Sequence, residues 1–119
     1  MIAITGAPGT GKTTYANSLG LKVLHTDDFL HHEKQKRAAI ITRVALEGGY
    51  EVIEGTLVPW VLRFMLYASD FPVQRLVIMQ KVHKRRPGTE GLAGAINAVL
   101  LDIERDLRKK EIVISYGSV

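Results

Sequence analysis

Cysteine is absent from this 119-residue chain, which excludes a disulfide framework, a thiolate zinc site and an iron–sulfur centre. A cysteine-free composition also fits a reducing compartment, so the expected location is cytoplasmic. No apolar run approaches the ~18 residues that a membrane helix needs, and no membrane partner is expected. The charge-poor start reaches Gly6 too soon for a secretory leader. Internal repeats, low-complexity stretches and linker-like segments are missing too, which predicts a single domain over residues 1–119. That length leaves no room for separate substrate and cofactor domains. Excess charge is small: sixteen Lys plus Arg stand against twelve Asp plus Glu, a net +4, with a pI near 9.5. The balance favours anionic partners without choosing among them. What remains is ordinary globular material, 46% apolar and 24% charged.

Short apolar runs alternate with longer amphipathic ones. Met1 to Thr5 reads as a buried strand ending in a glycine-rich turn, and Lys12 to Leu19 as a helix stopped by Gly20. Lys22 to His25 is a second strand, closed by the acidic turn Thr26-Asp27-Asp28-Phe29. Helical spacing of Ile40, Ile41 and Val44 predicts a helix from about Glu33 to Glu47, ended by Gly48-Gly49. Glu51 to Glu54 is a third strand. Pro59 fits the first turn of a third helix that runs through Leu62, Met65 and Leu66. Val73 to Val82 contains a fourth strand centred on Leu76 to Met79. Leu92, Ile96, Val99, Leu100, Ile103 and Leu107 then form one apolar stripe on a long helix. Ile112 to Tyr116 is a fifth strand. Such alternation predicts an α/β fold in three α/β/α layers around a five-stranded parallel sheet.

One segment carries a specific chemical signal. Gly6-Ala7-Pro8-Gly9-Thr10-Gly11-Lys12-Thr13 matches G-x-x-x-x-G-K-[ST] at every fixed position. Glycines let the backbone curl around phosphate oxygens with its N–H groups turned inward. Lys12 offers a point charge to the β- and γ-phosphates, the Thr13 hydroxyl suits Mg²⁺, and the helix N-terminus adds its dipole. A strand before the motif and a helix after it supply the context that the pattern requires. ATP and Mg²⁺ are therefore the expected cofactors.

With Thr14 included, Gly6 to Thr14 resembles the opening of the small P-loop kinases, a family within the P-loop NTPases. The family takes in nucleoside and nucleotide, shikimate, gluconate, uridine and pantothenate kinases, and phage-type polynucleotide kinases. His25-Thr26-Asp27-Asp28-Phe29 is similar to the family's segment at the end of the second strand, where an Asp approaches the acceptor hydroxyl. Val52-Ile53-Glu54-Gly55 is similar to the acid-bearing strand end of the uridine and pantothenate enzymes. These segments cover most of residues 1–56. The resemblance implies a P-loop NTPase fold and assigns Asp27 the catalytic position, with Asp28 as its less constrained neighbour.

Chemistry supports those roles independently. Asp27 and Asp28 follow a strand, at the sheet edge where open α/β sheets bind ligands. A carboxylate there can take the proton of an attacking hydroxyl or share in holding Mg²⁺. Glu54, at the tip of another buried strand, suits the metal shell, whereas Glu51 falls on the opposite face. His31 and His32 follow the acids closely, but imidazoles suit softer cations than Mg²⁺, and they read as exposed residues opening a helix. Lys81, Lys84, Arg85 and Arg86 precede Pro87-Gly88. In the small P-loop kinases a lid at this place in the chain contributes arginines, so the resemblance implies a short lid here, with Arg85 and Arg86 over the γ-phosphoryl oxygens and Lys84 in support. Trp60 reads as a core residue by default, with substrate stacking as the other use, and Arg63 lies within reach of an acceptor phosphate.

The expected activity is ATP- and Mg²⁺-dependent transfer of a γ-phosphoryl group to an acceptor hydroxyl. The acceptor is a small molecule, a nucleoside or nucleotide, or a polynucleotide 5′-hydroxyl. Lys34, Lys36, Arg37 and Arg43 give the second helix a basic face suited to a polyanionic acceptor. The alternatives are a small P-loop ATPase or GTPase, and a nucleotide-binding module without turnover. Lys12, Thr13, Asp27 and Glu54 together favour the first, because binding alone needs no base. The short acceptor region is compatible with a homodimer that completes the site.

Overall fold

Each apolar run becomes a strand in the computed structural model, and the five strands form one all-parallel sheet. The structure describes residues 1–68, 70–80, 88 and 91–117. In chain order the elements are β1 (Ile2–Gly6), α1 (Lys12–Ser18), β2 (Val23–His25), a 3₁₀ turn (Thr26–Phe29), α2 (Arg37–Glu47), β3 (Val52–Glu54), α3 (Val58–Met65), β4 (Arg75–Met79), α4 (Leu92–Lys109) and β5 (Val113–Gly117). The strand order is β2-β3-β1-β4-β5, with β1 at the centre.

That order and the right-handedness of parallel crossovers decide where each helix lies. The chain leaves β1 toward the β2 edge through α1, then crosses back through α2, α3 and α4. One direction of travel puts a helix on one face and the reverse direction puts it on the other. Side-chain packing agrees. Ala3, Ile53 and Leu76 pack with Ile41, Leu62 and Ile103 of the three later helices. Their alternate neighbours Ile4, Val52, Val77 and Met79 pack with Ala16 of α1. Helices thus lie against both faces, an arrangement compatible with three α/β/α layers.

The connections from β1 and β4 run to opposite edges of the sheet. Their carboxyl ends therefore diverge, and open α/β sheets bind ligands at such a switch point. The turn after β1, residues 7–11, emerges there.

Helix α2 starts at Arg37 rather than near Glu33. Polar residues 33–36 carry no apolar periodicity that would dock a further turn, and their chain turns instead. Arg37 holds that turn: its Nε donates to the His32 carbonyl at 3.0 Å and its Nη2 to the Leu30 carbonyl at 2.7 Å. Replacing Arg37 by Ala is expected to lower unfolding free energy by about 1–2 kcal/mol, because two charge-assisted bonds are lost at a half-exposed site. Urea titration reads the loss, and Arg37→Lys should recover only part of it. Trp60 is the other departure. It sits half-buried, outside the core stripe of α3, which consists of Val58, Val61, Leu62 and Met65.

No helix among the described residues is long and apolar enough to cross a membrane.

Candidate functional site

The segment Gly6 to Thr13 leaves the central strand, turns through left-handed backbone at Gly9 (φ 85°) and Gly11 (φ 80°), and enters α1 at Lys12. Inside the turn, the Thr10 hydroxyl donates to the Ala7 carbonyl at 2.8 Å. The Lys12 ammonium reaches the same carbonyl at 3.4 Å and is largely buried. Ala7, Pro8 and Gly9 are half-exposed, and Thr13 and Thr14 are exposed on the first turn of α1.

Parallel registration places the ends of β2 and β3 side by side, with His25 opposite Glu54. Glu54 is 3% exposed. Its Oε1 accepts from the Thr13 hydroxyl at 3.2 Å and lies 2.6 Å from His25 Nδ1. A carboxylate oxygen can only accept, so this contact selects the imidazole tautomer with its proton on Nδ1. The other carboxylate oxygen, Oε2, is buried and has no hydrogen-bond partner among the described residues. A buried acceptor left in that state is costly unless something binds it. Glu54 and Thr13 therefore form an oxygen donor set, one atom of it unsatisfied, that fits a hard divalent cation. Among the described residues no three His, Cys, Asp or Glu side chains gather into a cage. A cation held here needs further oxygens from a phosphate ligand and water.

Asp27 lies in the 3₁₀ turn one residue beyond the buried Thr26. Its Oδ1 accepts from the Thr56 hydroxyl at 3.4 Å, which ties the turn to the loop after β3. Asp27 and Lys12 border the same cleft, of about 850 Å³, between α2 and α3. Asp28 is exposed and lies outside that lining. The cleft's other walls include Lys34 and Arg37 on the α2 side and Trp60 and Arg63 on α3. Lys36 is instead paired with Glu33 at 3.5 Å on the surface. A second cleft of about 510 Å³ opens beside Gly6 and Ala7, between the ends of β4 and β5 and helix α4.

The structure thus brings Lys12, Thr13, Asp27 and Glu54 to one edge of the sheet. Lys84, Arg85 and Arg86, read as a lid, lie outside the described residues, as does Lys81. Two members of the site were not assigned from sequence: His25, which touches Glu54, and Thr56, which touches Asp27. The signal for His25 was its place as the last residue of β2, matching Glu54 as the last residue of β3. It becomes readable only once β2 and β3 are known to be neighbours. No protein-family model matches this chain, and no curated protein is detectably similar to it.

Proposed function

We propose that this protein is a small phosphotransferase of the P-loop NTPase fold, with ATP phosphates in the Gly6–Thr13 loop and an acceptor hydroxyl beside Asp27. The observation that carries the reading is that Lys12 and Asp27 share one cleft with room for a second substrate. Hydrolysis needs only a water at that place. An acceptor cleft with charged and aromatic walls serves transfer to another molecule.

In the transfer, an acceptor oxygen attacks the γ-phosphorus and the bond from that phosphorus to the β–γ bridging oxygen breaks, releasing ADP. Asp27 takes the acceptor's proton, and its hydrogen bond from Thr56 fixes the carboxylate that does so. Lys12 neutralises charge on the β- and γ-phosphates. Thr13 and Glu54, with Asp27, would hold Mg²⁺, and the ion would supply charge neutralisation for the phosphates. His25 keeps Glu54 oriented. Arg85 and Arg86, with Lys84, would cover the γ-phosphoryl oxygens.

The test is an ATP-consumption screen against nucleosides, nucleotides, small polyols and 5′-hydroxyl oligonucleotides. Consumption should depend on an acceptor. Lys12→Ala should weaken ATP binding by at least about tenfold, since one charge-assisted phosphate contact is worth roughly 1.5–3 kcal/mol; calorimetric titration reads it. Consumption without an acceptor would instead identify a nucleoside triphosphatase. Tight ATP binding with no consumption in any mixture would leave a binding module.

A further inference from the structure

The two edges of the sheet are built differently. At one edge β2 is only three residues long, too short to template much pairing. At the other, β5 has five residues, as many as β1 and β4. It pairs with β4 alone among the described residues. Its sequence, Val113 to Gly117, holds no charge and no proline, so it lacks the side chains that guard natural edges. Val113 and Tyr116 are each 62% exposed there. Leu101 of α4, which borders the same cleft as Ile114 and Tyr116, is 72% exposed.

Hydrogen-bond phase decides what this edge offers. The Val113 N–H donates to the Gln74 carbonyl at 3.0 Å, and the Gly117 carbonyl accepts from the Gln80 N–H at 3.2 Å. Backbone groups alternate in direction along a strand, so Val113, Ser115 and Gly117 turn theirs toward β4. Ile114 and Tyr116 therefore present their N–H and C=O groups outward.

Those groups match their own image. A two-fold rotation about Ser115 sets a second β5 antiparallel to the first, with Ile114 of each copy opposite Tyr116 of the other. Each pair then exchanges both hydrogen bonds. On the α4 face each is also an aromatic–β-branched pair, a favourable cross-strand combination. Ser115 stands on the axis opposite itself. Its Oγ is buried with no hydrogen-bond partner among the described residues, and directly opposed hydroxyls can bond to each other. Charge is self-complementary too. Glu104, on the cleft beside Tyr116, accepts from Arg108 one turn on at 2.8 Å. Rotation reverses that order and brings the acid of one α4 toward the base of the other. An unrelated strand would share the backbone bonds but none of these side-chain matches.

We infer that this chain forms a two-fold homodimer by antiparallel β5–β5 pairing, which joins the two sheets into one. Such an interface is isologous and closes at two copies. The carboxyl ends of the joined sheets point in opposite directions, so the two Gly6–Thr13 loops lie at opposite ends of the dimer. Pairing at this edge leaves the cleft beside Asp27 to each copy alone. The inference is independent of the phosphotransferase reading.

Sedimentation equilibrium of the full chain without nucleotide, over about 1–200 μM, reads the mass. It should rise from 13.2 kDa toward twice that value. Amide exchange over the same range reads the register. Ile114 and Tyr116 amides should slow by at least about tenfold as the dimer forms, while Ser115 and Gly117 amides, bonded to β4, stay protected throughout. Tyr116→Pro removes an outward N–H and no bond to β4, so it should weaken the dimer by at least about tenfold. Tyr116→Phe should stay within about threefold of the parent. A 13.2-kDa species at every concentration would overturn the inference. So would a dimer whose Ile114 and Tyr116 amides exchange as freely as in the dilute sample. A dimer dissolved by Tyr67→Ala but not by Tyr116→Pro would also overturn it, because the exposed ring after α3 would then be the interface. Should Tyr116→Pro fail to fold, the exchange pattern of the parent chain decides alone.

Discussion

Replacing Gly55 by Ala should remove a substantial part of the domain's stability. Gly55 follows Glu54 with φ 143°, a backbone region that side chains rarely adopt. A Cβ built there would lie 1.8 Å from the Thr26 hydroxyl oxygen and 3.1 Å from the Thr26 Cβ. Thr26 is itself fully buried, so it has no free direction in which to move. Backbone strain and overpacking each cost roughly 1–3 kcal/mol, so a loss of at least about 3 kcal/mol is expected. Total stabilities are only about 5–15 kcal/mol, and a domain of this size should lose on the order of 10 °C or more in Tm.

Thermal and urea unfolding read the effect, and a second substitution identifies its cause. The Thr26 hydroxyl has no hydrogen-bond partner among the described residues, so Thr26→Ala should be close to neutral by itself. Combined with Gly55→Ala it should recover the part of the loss caused by the collision. Thr26→Val keeps a carbon where the hydroxyl was and should recover nothing. No recovery by Thr26→Ala would show that backbone strain alone carries the loss. Function follows from the same contact, because Gly55 lets the end of β3 lie against the end of β2. That approach sets Glu54 beside His25, and Thr56 beside Asp27.

The alternation of strand and helix was fully written in the sequence because each element carries its own period. The stripe of α4 is the clearest instance: Ile96, Val99, Ile103 and Leu107 are all buried as their spacing requires. Strand order was not written there. Short apolar runs such as Val23–His25 and Val52–Glu54 carry no information about which neighbour they choose, so the His25–Glu54 contact stayed hidden. The beginning of α2 was misplaced because polar residues 33–36 have no apolar periodicity to mark it. Trp60 was misread for a different reason. Bulk was taken as a sign of burial, although Val58, Val61, Leu62 and Met65 already define the core stripe, and position 60 falls off it. Reading the whole helix would have put Trp60 on the same side as Phe64 and Tyr67. The glycine-rich turn was legible for the opposite reason: its shape is local, set by consecutive residues in which Gly9 and Gly11 take left-handed backbone between β1 and α1.

Asp27→Asn should lower turnover by a factor of about 10²–10⁴, the contribution of a positioned base, or roughly 3–5 kcal/mol in the barrier. The substitution is nearly isosteric, and an amide oxygen still accepts from Thr56. Folding and the shape of the cleft should therefore be retained, with only the capacity to take a proton removed. ATP affinity should change little, because the proposed site has Lys12 and the loop backbone, not Asp27, on the phosphates. Asp28→Asn should stay close to the parent rate, since both acids are exposed but Asp27 alone borders the cleft that Lys12 borders. Steady-state kinetics at saturating ATP, with acceptor concentration varied, separates the two effects. A fall in kcat with little change in KM marks lost proton transfer, while a rise in KM alone marks lost acceptor binding. If Asp28→Asn abolishes turnover and Asp27→Asn does not, the base has been assigned to the wrong member of the pair. If neither matters, the acceptor hydroxyl does not lie at this edge of the sheet, and the 3₁₀ turn serves only to join β2 to α2.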